Sequence, residues 1–162
     1  MFGAELGDAA GKLDRFIDGQ RFGYETALAE IKNGRKENHW IWYVFPQLKG
    51  LGHSPNAKYY GLSGPEEAKQ FLAHPVLGSR LREITEVLLA IEDKSAEEIF
   101  PEIDAVKVRS SMTLFDIVSP HDIFSKVLDK YYGGVKDEMT LSLIKAMRTN
   151  WANINQEKAP EI

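Results

Sequence analysis

Between Lys36 and Ser54 the chain reads KENHWIWYVFPQLKGLGHS, which places His39, Trp40, Trp42, Tyr43, Phe45, Gln47, Gly50, Gly52 and His53 within nineteen positions. An ordinary helix or strand does not need that mixture. Aromatic faces, imidazoles and glycine-permitted backbone are the materials of a ligand pocket, so this is where function is expected to sit. The plain alternative is that Trp40, Ile41, Val44 and Phe45 fill the core, because buried aromatics dominate core energetics in a small domain. Two tryptophans two residues apart do not easily share one helical face, so one of Trp40 and Trp42 is expected to line something other than the main core. His39 adjoins them, and an imidazole titrating near about 6.5 can serve as donor, base or anion partner. Gly50 and Gly52 allow close backbone approach, as an anion-cradling loop requires. They form neither a dinucleotide fingerprint nor a P-loop, and taken by themselves they read better as a plain turn.

A second constellation is Lys107-Val-Arg109-Ser110-Ser111-Met-Thr113. On a helix Lys107 shares a stripe with Ser110 and Ser111, while Arg109 lines up with Thr113 and Asp116. Two cations beside three hydroxyls are what a phosphate or carboxylate site uses. The competing reading is a solvated polar face, but Ala105, Val106, Val108, Met112, Leu114 and Phe115 predict a largely buried helix. Charges there need a ligand or a structural partner such as Asp104.

Other chemistries find no support. The chain has no cysteine, which removes disulfides, thiolate nucleophiles and cysteine metal sites. There is no H-E-x-x-H and no close histidine pair, so no metal is expected, and no G-x-S-x-G of an α/β-hydrolase. No cofactor is implied.

The elements that must position these residues carry helical periodicity. Leu13, Phe16 and Ile17 predict a first short helix. Tyr24, Ala27, Leu28 and Ile31 predict a second, ended by a left-handed cap at Gly34. Ser63-Gly-Pro-Glu66 and Ser95-Ala-Glu-Glu98 read as capping boxes. Val76 to Ile91 gives the longest stripe, and Ile103 to Val118 reads as a buried helix. Ser119-Pro120 predicts a cap and first-turn proline before Ile123, and Gly133-Gly134 stops that helix. Met139 to Trp151 supplies the last. Trp40 to Phe45 is apolar throughout, so periodicity does not separate helix from strand there. The expected architecture is all-α, a single domain over residues 1–155 with seven or eight helices, room for one short strand pair, and a polar tail at 156–162.

Composition agrees with one globular domain: of 162 residues, 43% are hydrophobic and 27% charged. The net charge of −4 disfavours non-specific nucleic-acid binding, which relies on a basic field. No apolar run suits a secretory signal or a membrane span, so a cytoplasmic protein without a membrane partner is expected.

Three segments, NHWIWYVFPQLKGLG, AHPVLGSRLRE and KVRSSMTLF, in this order and at these intervals, resemble the bacterial and fungal family catalogued as domain of unknown function 1810. The match spans about Leu13 to Leu143 and takes in His39, Trp40, Trp42, Gln47, Gly50, Gly52, Tyr59, His74, Gly78, Arg80, Lys107, Arg109, Ser110 and Ser111. The resemblance implies a mainly helical single-domain fold of its own type, with no established activity. Family members often carry the label "calpastatin", which fits poorly. Such an inhibitor would be disordered and repetitive, and this chain is compact and repeat-free in pattern.

From the residues themselves we expect a pocket for a small anionic ligand, a nucleotide or phosphorylated metabolite. Lys107, Arg109 and Arg80 would hold the anion, with Gly50, Gly52 and Ser111 around it. Trp40 or Trp42, with Tyr59 or Tyr60, would stack on a base or sugar. If the domain is an enzyme, a hydrolase or transferase, His39 is the expected general acid or base, with Gln47 and Ser110 orienting the substrate. The competing expectation is a non-catalytic module that binds a protein or peptide partner in an aromatic groove.

Overall fold

The computed structural model describes the backbone of residues 2–158 and the side chains of residues 12–155. Helix α1 (Phe2–Lys32) is followed by the single turn α2 (Ile41–Val44), then α3 (Pro55–Tyr60) and α4 (Pro65–Ala73). Next come α5 (Leu77–Ala90), the single turn α6 (Ala96–Ile99), α7 (Glu102–Val118), α8 (Ile123–Tyr132) and α9 (Glu138–Lys158). The domain is all-α as expected. Its one piece of β-type pairing among the described residues is a parallel bridge between Leu48 and Leu62.

The two stripes expected as separate helices are one. Leu13, Phe16, Gln20, Tyr24, Ala27, Leu28 and Ile31 are all buried at helical spacing. Glycines 19 and 23 cost about 1 kcal/mol each relative to alanine, which the continuous buried face outweighs. The helix ends in a Schellman motif. Gly34, at φ +76°, donates to Ile31 O at 2.8 Å and Arg35 donates to Glu30 O at 3.0 Å. Trp40 to Phe45 resolves as the helical turn α2. It stops at Phe45, whose ψ of 75° is not helical, as the following Pro46 requires.

Two caps differ from expectation. At α4 the N-cap is Gly64 rather than Ser63. Glu67, not Glu66, reaches back to accept the Ser63 N–H at 3.1 Å. At α8 the cap is Asp122, and Ser119 donates its hydroxyl to the Asp122 carboxylate at 2.7 Å. At α8 a carboxylate that also binds a distant arginine, Arg82, displaces the hydroxyl. At α4 no side chain caps the first turn, and Glu67 pairs with Arg15 from α1. The Ser95–Glu98 capping box forms as read.

The core follows α7, which packs on α4, α8 and α9. Phe16, Phe71, Phe115 and Phe124 run through it as a chain of ring contacts, with successive centroids 5.0, 5.7 and 5.5 Å apart. No helix among the described residues is long and apolar enough to cross a membrane.

Candidate functional site

The segment leading into α2 is held by one carboxylate. Glu30, buried on α1, accepts the backbone N–H groups of Glu37 at 2.7 Å and Asn38 at 2.9 Å, and the Trp40 indole N–H at 2.9 Å. Its second oxygen accepts the Asn38 amide at 2.5 Å. Burial pushes this carboxyl group upward, but the four donors prevail and hold it at about 2. Trp40 is thereby locked into the core, 1% exposed.

Trp42 points elsewhere. Its ring lies beneath the Lys107 ammonium, 5.3 Å from centroid to nitrogen. Its indole nitrogen is buried without a hydrogen-bond partner among the described residues. It lines a small hollow with Gln47, Ala57, Tyr60 and Gly61, and Gln47 and Ala57 also line a larger cleft.

That cleft has a volume of about 340 Å³ and lies between the 47–54 loop, α7 and the start of α9. Gln47, His53, Lys107, Ser110 and Asp137 bring polar groups to its lining, and Leu51, Ala57, Ile103, Val106 and Met139 bring apolar ones. Gly52 also lines it. A Cβ at Gly52 would stand 2.7 Å from that of Ala57, so only glycine lets α3 close against the loop. Gly50 makes the turn at φ +103°.

The electrostatics centre on Asp104. The Lys36 ammonium, its side chain only 3% exposed, bonds one Asp104 oxygen at 2.8 Å. Lys107 lies 3.8 Å from the other oxygen. One carboxylate thus faces two ammonium groups, and the tighter contact belongs to the buried lysine. Lys107 reaches the cleft with its charge only partly compensated. Ser110 donates to Val106 O at 3.2 Å, which leaves its lone pairs to accept. Asp137 caps α9, one oxygen accepting the Thr140 N–H at 2.9 Å and its hydroxyl at 2.5 Å. Among the described residues no hydrogen bond joins His53 to Ser110 or Asp137, so no nucleophile–base pair is assembled there.

The residues singled out in the sequence are distributed as follows. Gln47, Gly52, Lys107 and Ser110 meet at the cleft, and Trp42 and Tyr60 line the small hollow that shares Gln47 with it. His39 is exposed and outside the lining. Arg109, two positions from Lys107, turns to another side of α7 and stands over the Tyr132 ring at 6.0 Å, its Nε buried and without a hydrogen-bond partner among the described residues. Burial pushes the Tyr132 phenol upward, and its hydroxyl donates to Ala105 O at 2.6 Å. Ser111 is fully buried, its hydroxyl without a partner among the described residues. Arg80 braces α5 on α1, 5.1 Å from the Tyr24 ring and 3.3 Å from the Gln20 amide oxygen. Tyr59 is 60% exposed and packs edge-on against Tyr60 at 4.8 Å. His53, Asp137 and Met139 had no signal tying them to Lys107, since nothing local links positions so far apart in the chain. Ile103, by contrast, lies one helical turn before Lys107, and helical spacing alone puts the two on one face.

The fold and cleft define a helical domain built around a single central helix, with one partly compensated cation at a mainly apolar recess. The chain belongs to the family described as "Protein of unknown function (DUF1810)", which matches residues 10–144. It is similar to the conserved hypothetical protein Rv1873 from Mycobacterium tuberculosis, known from a crystal structure. The two are 45% identical with a TM-score of 0.81, over 82% of this chain and 96% of that one. None of the curated proteins matches the sequence.

Proposed function

We propose that the cleft binds a small organic anion carrying an apolar body, such as a phosphorylated or carboxylated metabolite. The observation that supports this reading is the position of Lys107. Its nearest carboxylate is 3.8 Å away and is already engaged at 2.8 Å by Lys36, so an incoming anion would complete its pairing. Gln47 and Ser110 would orient the anionic group, and Ile103, Val106 and Met139 would cover the apolar part. Lys36 acts as a positioning residue, holding Asp104 back from Lys107.

The test is a thermal-shift screen of sugar monophosphates, aryl phosphates and organic carboxylates. A ligand at 100 times its Kd should stabilise by about 2.7 kcal/mol, several degrees for a domain of this size. The shift should vanish in Lys107→Gln, whose unliganded melting temperature should stay within a few degrees of the parent. A shift that survives Lys107→Gln, or a flat screen, overturns the reading. The apolar lip favours a second one. Ile103 is 68%, Val106 50% and Met139 62% exposed around the recess, more apolar surface than a small ion needs. This fits a peptide or protein partner laid across the cleft. Such binding would be abolished by Ile103→Glu but survive Lys107→Gln, which separates it from small-anion binding.

A further inference from the structure

A second recess of about 380 Å³ shares no lining residue with the cleft. Lys12, Arg15, Lys49 and Lys58 bring four cations to it, and Glu67 is the one acidic residue in the lining. The chain as a whole carries −4, so this is a local reversal of sign. Neither Glu67 nor Arg15 is available to a ligand's charge. Arg15 spends its guanidinium on Glu67 at 3.0 Å, Tyr59 O at 2.9 Å, Gly61 O at 3.0 Å and the Lys12 carbonyl. Glu67 also accepts the Ser63 N–H. Lys49 and Lys58 form no ion pair among the described residues.

The recess is built by tertiary contacts rather than by a mobile surface. The Leu48–Leu62 bridge, with Lys49 N–H on Leu62 O at 2.8 Å, sets Lys49 beside the end of α3. Arg15 clamps the carbonyls of Tyr59 and Gly61 from α1. Tyr59 also lines the recess. Its exposed ring is backed by Tyr60, which packs in turn on Phe16 at 5.9 Å and Tyr43 at 5.4 Å. Exposed aromatic rings with firm support are platforms for a flat π-system, and clustered ammonium groups bind phosphate.

We infer that this recess is a site for a nucleotide bearing two or more phosphates, with Lys49, Lys58 and Lys12 on the phosphates and the base against Tyr59. More than one lysine is left without a partner, so a multiply charged group matches better than a single phosphate. The bounded shape and the acidic remainder of the chain favour a free nucleotide over a polynucleotide strand.

Titration calorimetry of the full chain with ATP, AMP, inorganic tripolyphosphate and a short single-stranded oligonucleotide tests this. ATP should bind about tenfold or more tightly than AMP, and the double variant Lys49→Gln/Lys58→Gln should weaken ATP by a similar factor or more. Tyr59→Ala should weaken ATP but leave tripolyphosphate unchanged, which separates stacking from charge. All three positions are on the surface, and unaltered circular dichroism would show the variants folded. Lys107→Gln should leave ATP binding as it was, which keeps this site distinct from the cleft. No heat with ATP, or an ATP affinity indifferent to the double variant, overturns the inference. Tighter binding of the oligonucleotide than of ATP also overturns it, in favour of a nucleic-acid surface.

Discussion

Gly78→Ala should lower stability by about 3 kcal/mol or more, a fall in Tm on the order of ten degrees for a domain of this size. Gly78 is buried in the first turn of α5. A Cβ there would stand 1.9 Å from the carbonyl oxygen of Leu72 and 2.8 Å from its carbonyl carbon. The obstacle is backbone in the last turn of α4, so no side-chain rotation relieves it. The chain turns between these helices through a tight set of bonds. His74 N–H bonds Gln70 O at 3.0 Å, and Gly78 N–H bonds His74 O at 2.9 Å. The His74 imidazole accepts the N–H groups of Val76 at 3.1 Å and Leu77 at 3.2 Å. Admitting a methyl group would push α5 off α4, and both rest on the core. Thermal melts of the variant and parent, followed by circular dichroism, measure the loss. A Tm within two or three degrees of the parent would show that the two helices can part cheaply.

Glu30→Gln is expected to cost a similar amount, about 3 kcal/mol at neutral pH. The carboxylate serves four donors. A carboxamide oxygen in the place of Oε1 would still face three donors but without the negative charge, and its NH2 group would meet the Asn38 amide NH2 where the second oxygen stood. The pH dependence identifies the cause. In the folded chain Glu30 is held at about 2, below its ordinary 4.5, so its contribution is complete above about pH 4.5 and drains away as pH falls toward 2. Urea melts of both proteins from pH 7 to pH 3 should therefore show the gap closing with acid. Asp122 titrates in the same direction, because Arg82, Ser119 and its own helix N-terminus hold it below the usual carboxylate range. Both proteins share that change, so it cancels in the difference. A gap that stays constant with pH would assign the loss to packing instead of charge.

Glu30 also illustrates what the sequence leaves hidden. Nothing about a glutamate near the end of a helix announces that it organises the next ten residues. Its role exists only because the Schellman turn at Gly34 folds Glu37, Asn38 and Trp40 back onto it. The aromatic segment, by contrast, advertised itself. Two tryptophans two positions apart do diverge, Trp40 into the core and Trp42 toward Lys107, as helical geometry demands. The KVRSSMTLF segment was legible as a buried helix carrying charge, but which charge meets the cleft was not. Lys107 and Arg109 differ by about 200° of rotation around α7. The packing of α4, α8 and α9 decides which of them faces Gln47 and which faces Tyr132.

Periodicity and capping chemistry are local, and they were enough to define an all-α chain, the Ser95–Glu98 box and the stops at Gly34 and Gly133. The three motifs were enough to place it in its family. Contacts between distant positions are not local. The sharing of Asp104 by Lys36 and Lys107, the closure of α3 on Gly52, and the meeting of Lys49 with Lys58 and Tyr59 all depend on how rigid helices pack. A helix carries its side chains at angles set by its own geometry. Which of them share a pocket follows from its rotation and neighbours, and those are properties of the assembled core.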